Sequence, residues 1–147
     1  MVSTEQEQEP EAPYVNALFH ISPERIASLG RSFQLLLLQR RCASCWGFLM
    51  QEPKGGRDVT APRHLSKIAS HCSETADFIN SDMPLAEAIF RILLANANKP
   101  MPIQQIYESL NERWVNPINP RIPEMEGIYR IMSYDTFYGF NEVPDQA

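Results

Sequence analysis

The residues best suited to chemistry in this sequence are three cysteines and two histidines in its first half. Cys42 and Cys45 form a Cys-x2-Cys pair, and His64, His71 and Cys72 follow within 27 residues. Two cysteines at this spacing can turn both sulfurs toward one zinc ion at ~2.3 Å, and a tetrahedral site then needs two further ligands. We therefore predict a structural zinc site formed by Cys42, Cys45, His71 and Cys72.

The fourth ligand of this site has two candidates. His71 adjoins Cys72, so the two side chains point about 100° apart around the end of one helix. His64 precedes Cys72 by about two helical turns, ~12 Å of rise, and the two could share an ion only if His64 lies before the helix. The spacing favours His71 over His64.

The same cysteines also allow interpretations without a structural metal. Cys72 could lie on the apolar face of its helix as a core residue, with Cys42 and Cys45 as packing thiols at a helix end. Alternatively, Cys42 and Cys45 form a redox dithiol, since Arg40 and Arg41 would favour thiolates. The βαβ pattern typical of such redox proteins does not surround them.

The segment Cys42-Ala-Ser-Cys-Trp resembles the Cys-Gly-[Ser/Ala]-Cys-[Trp/Tyr] signature of papain-like proteases. That resemblance implies a nucleophilic cysteine with a histidine base far downstream. Only 102 residues follow Cys45, the last histidine is His71, and the C-terminal half has helical patterning. Gly55-Gly56 also lacks the Lys-Ser/Thr of a phosphate-binding loop. We therefore predict a protein that is not an enzyme and has no small-molecule substrate.

Composition limits the class of protein further. The 147 residues include three cysteines, an odd number that argues against a disulfide framework and favours a reducing compartment. No apolar run is long enough to span a bilayer. Residues 1–12 carry four glutamates and no base, which predicts neither a secretory signal nor a transit peptide. We expect a cytoplasmic protein without membrane contact.

Twelve prolines divide the chain at helix-length intervals, because proline is tolerated in the first turn of a helix but not in its interior. Ser22-Pro23-Glu24 is typical of a helix start. Hydrophobic spacing predicts a mainly α chain. The predicted elements are helices over about 23–41 and 62–72, a basic loop over 51–60, a helical turn over 74–79, a helix capped by Asp82, helices starting at Pro102 and Pro123, and a short strand over 135–140.

These elements suggest three parts: a disordered acidic tail over 1–13, a helical Cys/His segment with a basic loop over 14–80, and a domain over 81–147. In the third part, Pro84-Leu-Ala-Glu-Ala-Ile-Phe-Arg-Ile-Leu-Leu is followed by Lys99-Pro-Met-Pro, a proline-introduced third helix and the aromatic Tyr138-Gly-Phe. On these features, residues 83–143 resemble a winged helix-turn-helix domain. The resemblance implies three helices with a wing, and a module that binds DNA through the third helix or docks onto protein in transcription complexes.

Charge is unevenly distributed along the chain. The net charge is −5, yet residues 31–67 carry seven bases against two acids, and residues 68–147 carry five bases against eleven acids. Because phosphate groups bind to a local cationic surface, we predict that nucleic acid contacts the middle segment rather than the acidic third helix. The predicted nucleic-acid-binding residues are Arg40, Arg41, Lys54, Arg57, Arg63 and Lys67, with Trp46 and Phe48 interleaved.

Together these features predict a non-enzymatic adaptor associated with transcription or nucleic acid. Its acidic winged-helix-like part would contact a protein partner, and its basic middle segment would contact nucleic acid. The alternative is a protein-protein interaction subunit of a larger assembly without nucleic-acid contact.

Overall fold

A computed structural model of the chain describes residues 14–114 and 123–144. Helices dominate these residues, which confirms the mainly α prediction, whereas the predicted tail over 1–13 lies outside them. No helix in the described ranges is long and apolar enough to cross a membrane. The α-helices are α1 (Pro23–Ser28), α2 (Phe33–Leu38), α3 (Ala43–Leu49), α4 (Ala61–Ser70), α5 (Leu85–Ala95), α6 (Ile103–Arg113) and α7 (Met125–Tyr134), and a 3-10 helix spans Cys72–Glu74.

The helix predicted over 23–41 is in fact two shorter helices, α1 and α2. Between them Gly30 has a φ of +81°, a left-handed conformation that glycine adopts readily and that ends a helix. Ser32 then starts α2, since its side chain accepts a hydrogen bond from the Leu35 backbone N–H at 3.2 Å. The predicted start of α1 is confirmed, because Ser22 Oγ accepts from the Arg25 N–H at 3.1 Å.

Several other helix ends differ from the prediction. α4 ends at Ser70 rather than at Cys72, and the 3-10 helix replaces the helical turn predicted over 74–79. The basic loop over 51–60 is confirmed, since it contains turns and no regular helix or strand. The cap assigned to Asp82 is wrong: α5 begins at Leu85, and Asp82 lies in a turn where its N–H donates to Asn80 Oδ1 at 2.9 Å.

A small antiparallel sheet joins distant parts of the chain. Its strands are β1 (Leu18–Ile21), β2 (Met101–Pro102) and β3 (Phe140–Val143), and β1 lies between the other two. Leu18 is opposite Pro102 on one side and Val143 on the other. The strand predicted over 135–140 begins only at Phe140, because Asp135 Oδ2 accepts from the Phe137 and Tyr138 N–H groups and folds that stretch into a turn.

One hydrophobic core includes residues from both predicted segments, 14–80 and 81–147. Phe19 and Ile21 of β1 are fully buried beside the inner faces of α5, α6 and α7. Asn98, at the turn after α5, fixes β1 in place: its Oδ1 accepts from the Ile21 N–H at 2.7 Å and its Nδ2 donates to the Ile21 carbonyl at 2.9 Å. The N-terminal strand is therefore an integral part of the C-terminal helical assembly.

Gly139, just before β3, lies close to the start of α1. Its φ is +75°, and its carbonyl accepts from the Ser22 N–H at 2.9 Å. A Cβ added at Gly139 would overlap the Ile26 side chain and lie 3.1 Å from the Ser22 carbonyl oxygen. Gly30 has a similar φ but leaves room for a Cβ, with no atom within 4 Å.

These two glycines provide a matched test of the packing. Gly30→Ala should lower the free energy of unfolding by about 1–2 kcal/mol, the cost of a left-handed alanine. Gly139→Ala should cost about 1–3 kcal/mol more, because steric overlap with Ile26 adds to the same backbone cost. Urea unfolding of the two variants measures the difference. Equal losses would show that Ile26 does not pack against Gly139.

Glu87 of α5 is the best-connected carboxylate among the described residues. It accepts two hydrogen bonds from Arg40, at 2.8 and 3.0 Å, one from Arg91 at 2.7 Å and one from the Tyr138 hydroxyl at 2.9 Å. Its side chain is 12% exposed. Burial alone would raise the pKa of Glu87, but the hydrogen bonds and charges of Arg40 and Arg91 outweigh it and lower the pKa from 4.5 to about 2.

This lowered pKa predicts how stability depends on pH. The carboxyl of Glu87 binds its proton more tightly in the unfolded chain than in the folded one. The contribution of Glu87 to the free energy of unfolding, about 3 kcal/mol, is therefore complete above pH 4.5 and is lost as the pH falls toward 2. Glu87→Gln should flatten this part of the profile of unfolding free energy against pH. Glu112→Gln, an exposed control on α6, should leave the profile unchanged. Parallel profiles for the wild-type protein and Glu87→Gln would contradict the assignment.

Candidate metal centre

The three cysteines and His71 are brought together by two short helices and the turn that follows them. Cys42 is the N-cap of α3, and Cys45 lies one turn inside that helix. His71 is the C-cap of α4, and Cys72 begins the 3-10 helix. The chain changes direction at His71, between α4 and the 3-10 helix. The adjacent residues His71 and Cys72 can therefore both lie near the start of α3.

The distances between the donor atoms suit a small metal ion. The Sγ atoms of Cys42 and Cys45 and a ring nitrogen of His71 all lie within 4.8 Å of one another. Cys72 Sγ lies 3.6 Å from Cys45 Sγ. Two sulfurs bound at ~2.3 Å to one tetrahedral ion are ~3.8 Å apart, close to this separation. The four residues selected from the sequence therefore lie close together and could hold a metal ion.

Hydrogen bonds already order this cluster. The Cys42 backbone N–H donates to Cys72 Sγ at 3.2 Å. Ser44 Oγ lies 3.3 Å from both Cys42 Sγ and His71 Nε2, and so joins the exposed side of the cluster. Cys45 and Cys72 are buried, Cys42 is half-buried and His71 is exposed. The cluster is consequently closed toward the core and open at the surface.

Burial and hydrogen bonding shift the pKa values of two thiols in opposite directions. For Cys42, burial alone would raise the pKa, but hydrogen bonds from Ser44 and the Cys45 backbone outweigh it and lower the pKa. For Cys72, burial is the largest effect and raises the pKa. Of these two thiols, the half-buried Cys42 ionises first. Metal binding would have to displace the proton of Cys72.

His64, the alternative ligand, points elsewhere. It is fully buried, and its Nδ1 lies 2.7 Å from an Nη of Arg41. Because an arginine always donates, Nδ1 is the acceptor and the proton of the neutral ring is on Nε2. Burial and the charge of Arg41 both lower the pKa of His64. His64 Nε2 and Arg41 Nε are buried without a hydrogen-bond partner among the described residues.

The six cationic residues selected from the sequence fall into two groups. Arg40 is bound to Glu87, with 10% of its side chain exposed, and Arg41 is partly buried against His64. The other four side chains are exposed, in the loop and on α4: Lys54, Arg57, Arg63 and Lys67. Arg63 and Lys67 are four residues apart on one helix and therefore share a face.

The basic loop is anchored rather than loosely attached. The Gln34 side-chain amide donates to the Arg57 carbonyl at 2.7 Å and also to the Val59 carbonyl. Gly56, with a φ of +85°, is buried against Leu38 and Leu49. The backbone that carries Lys54 and Arg57 thus has a defined position beside α2 and α3.

An apolar groove beside this loop is a feature that sequence reasoning missed. It has a volume of about 420 Å³ and is lined by Leu38, Trp46, Met50, Pro53, Lys54 and Arg57, among others. Next to it on α3, Phe48 is 75% exposed. The signal was present in the sequence: once 43–49 is a helix, Cys45 and Leu49 share its buried face and Phe48 must point away from it.

Gly47, between Trp46 and Phe48, has no structural explanation. A Cβ at Gly47 would meet no atom within 4 Å, and its φ is not positive. Glycine inside a helix costs about 1 kcal/mol relative to alanine. The fold would accept a side chain at this position, and the glycine leaves the surface between the two aromatic rings open.

No known protein family, curated protein or solved structure matched this chain. Function is therefore inferred from the residues and their geometry. One stretch of the chain, residues 42–72, contains four candidate metal donors, three of them thiols. It also contains a set of exposed cations and two aromatic side chains on α3.

Proposed function

We propose that this protein is a non-enzymatic adaptor in which a structural zinc ion, held by Cys42, Cys45, Cys72 and His71, presents a nucleic-acid-binding surface. The observation that carries the proposal is the convergence of these four donors from the two ends of the segment 42–72. The basic loop lies between those ends. A metal bound there would close the segment into a cross-linked unit and restrict the loop that carries Lys54 and Arg57.

Zinc is the metal that this donor set favours. Thiolate and imidazole ligands select zinc over harder divalent ions, and three sulfurs with one nitrogen form a common structural site. Four protein ligands complete a tetrahedron and leave no position for a reacting water, which favours a structural role over a catalytic one. Three thiolates and one neutral imidazole on Zn²⁺ carry a net charge of −1. Arg41 adjoins Cys42 and forms no ion pair with a carboxylate in the described ranges, so it could offset this charge.

The C-terminal part is proposed to be a winged-helix-like module that contacts protein. Its elements follow the order α5, β2, α6, α7, β3, and β1 provides the strand between β2 and β3. This order supports the proposal, with the N-terminal strand taking a place in the wing sheet. The exposed side chains of α7 include Glu126, Arg130 and Tyr134, and Glu124 precedes the helix. Because Glu126 forms an ion pair with Arg130, this surface carries mixed charge beside an aromatic ring, a combination that favours a protein partner over a phosphate backbone.

Nucleic acid is proposed to bind the exposed cations of the middle segment: Lys54, Arg57, Arg63 and Lys67. Arg40 is left out of this surface because Glu87 neutralises it inside the protein. Each phosphate that one of these cations neutralises releases a condensed counterion, so binding should depend strongly on salt. A cytoplasmic location stays a prediction.

The zinc proposal predicts about one zinc ion per purified chain. Cys42→Ser and His71→Ala change residues at the open side of the cluster, so they should fold and lose the metal. His64→Gln keeps an acceptor for Arg41 and should retain zinc. Elemental analysis by mass spectrometry measures the zinc, and a chelator should lower the melting temperature of the wild-type protein but not that of Cys42→Ser. Wild-type protein that holds no zinc after refolding with excess zinc would overturn the proposal.

The nucleic-acid proposal predicts a salt-dependent shift in the fluorescence anisotropy of a labelled oligonucleotide. Removing two phosphate contacts with Lys54→Ala and Arg57→Ala should reduce the slope of log K against log salt by about 1.4 to 1.8. Arg25→Ala with Lys99→Ala removes two exposed cations outside the surface and should leave the slope unchanged. Absence of binding at low salt, or equal effects of the two double variants, would contradict the proposal.

A second candidate function is a pure interaction subunit without nucleic acid. The observation that favours it is the exposure of three large apolar side chains in residues 33–50: Leu35, Phe48 and Met50. Met50 also lines the apolar groove, and exposed apolar surface of this kind marks protein-interaction sites. In that case the oligonucleotide experiment gives no shift, while zinc is still bound.

A further inference from the structure

Two aromatic side chains, Trp46 and Phe48, flank the outward face of α3 with Gly47 between them, and because they are two residues apart they lie on different sides of the helix. Cys45 and Leu49 hold the helix against the core, so Phe48 is 75% exposed and Trp46 lies at the edge of the groove. Gly47 separates the two rings, and the space around it is empty. A small residue at this position keeps the passage between the rings clear at a cost in helix stability.

Neither Trp46 nor Phe48 stacks on another ring or on an arginine within the described part of the protein. Phe78, Phe90 and Phe137 each lie beneath an arginine, and Tyr14, Phe19, Tyr129, Tyr138 and Phe140 contact other rings. Trp46 and Phe48 have no ring or cation–π contact there, and the Trp46 indole N–H has no hydrogen-bond partner in the same residues. The exposed Phe48 ring and the solvent-facing part of the half-buried Trp46 ring are available to a planar ligand.

Cations lie on the groove that Trp46 lines, whereas Phe48 lies outside its wall. Lys54 and Arg57 line it together with Trp46 and Met50, and Glu52 is the acidic residue in its wall. The Gln34 hydrogen bonds hold Arg57 and its loop beside the helix. Positive charge next to free aromatic faces is the combination that binds the phosphates and the bases of an unpaired strand.

We infer that the α3 face binds single-stranded nucleic acid, with bases stacked on Phe48 and Trp46 and phosphates on Lys54 and Arg57. The inference rests on the proposed function and specifies its partner. Bases in a duplex are already stacked on their neighbours and hide their faces, whereas bases in a single strand can be splayed onto side chains. The strand would cross the surface left open by Gly47. Stacking and phosphate contacts do not depend on base identity, so binding would need no sequence-specific contact.

The test compares a labelled twelve-nucleotide oligo(dT) with a duplex of equal length by fluorescence anisotropy at low salt. Wild-type protein should bind the single strand more tightly, and the strand should quench the fluorescence of Trp46, while Trp114 is buried and shielded. Phe48→Ala should weaken oligo(dT) binding by about 5- to 150-fold, the range for loss of one stacked base. Phe48→Trp should restore it.

Tyr134→Ala is the matched control, since Tyr134 is 81% exposed on α7, outside this surface, and its loss should leave binding unchanged. Gly47→Leu fills the open surface and should weaken binding without unfolding the chain. Equal binding of duplex and single strand, with no effect of Phe48→Ala, would overturn the inference and leave the proposed nucleic-acid contact intact. Binding of neither oligonucleotide would overturn both.

Discussion

The ion pair between Glu87 and Arg40 is the constraint on which the rest of the structure depends. Glu87 lies in the first turn of α5 and is largely buried, and Arg40 lies just after α2 and two residues before Cys42. By holding Arg40, the carboxylate fixes where the chain leaves α2 and where α3 begins. Arg91 and Tyr138 bind the same carboxylate, so α5 and the segment before β3 are fixed at the same point. One buried charge with four hydrogen bonds thus links the candidate metal centre to the C-terminal helices.

The candidate metal centre and the basic loop are coupled through this arrangement. The donors of the metal centre lie at both ends of residues 42–72, and the loop with Lys54 and Arg57 lies between them. Hydrogen bonds from Gln34 hold the middle of the segment. A metal bound at the two ends of this segment would restrict the parts of it that the Gln34 hydrogen bonds do not hold. The cluster is closed toward the core and open toward solvent.

Charges in the basic middle segment have different roles, and only the folded chain distinguishes them. Arg40 and Arg41 are part of the interior, one bound to a carboxylate and one to a buried imidazole. The exposed cations lie farther along the chain and face solvent. A sequence count of bases against acids therefore overstates the charge that a partner can reach. The same holds for aromatic residues, since most rings pack in the interior, whereas Phe48 and Tyr134 are exposed and Trp46 is half-buried.

Local signals in the sequence predict local features well. Ser22 with Pro23 starts α1, Gly55-Gly56 marks the loop, and hydrophobic spacing marks α5, α6 and α7. Features that depend on distant partners were missed. β1 is a strand because β2 and β3 pair with it, and Asn98 holds it from 77 residues away. α3 is too short for a periodic signal, and it forms where the core accepts Cys45 and Leu49.

The candidate site shows the same division. The sequence by itself determined which residues could bind a metal, because ligand chemistry depends on residue type and the Cys-x2-Cys spacing is local. Only the tertiary structure decided that His71 joins Cys42 and Cys45 while His64 turns to Arg41. The direction of a helical side chain is known relative to its own helix, but its partner depends on how two helices pack. That packing is set by the shared core and by the buried ion pair of Glu87, which no local pattern encodes.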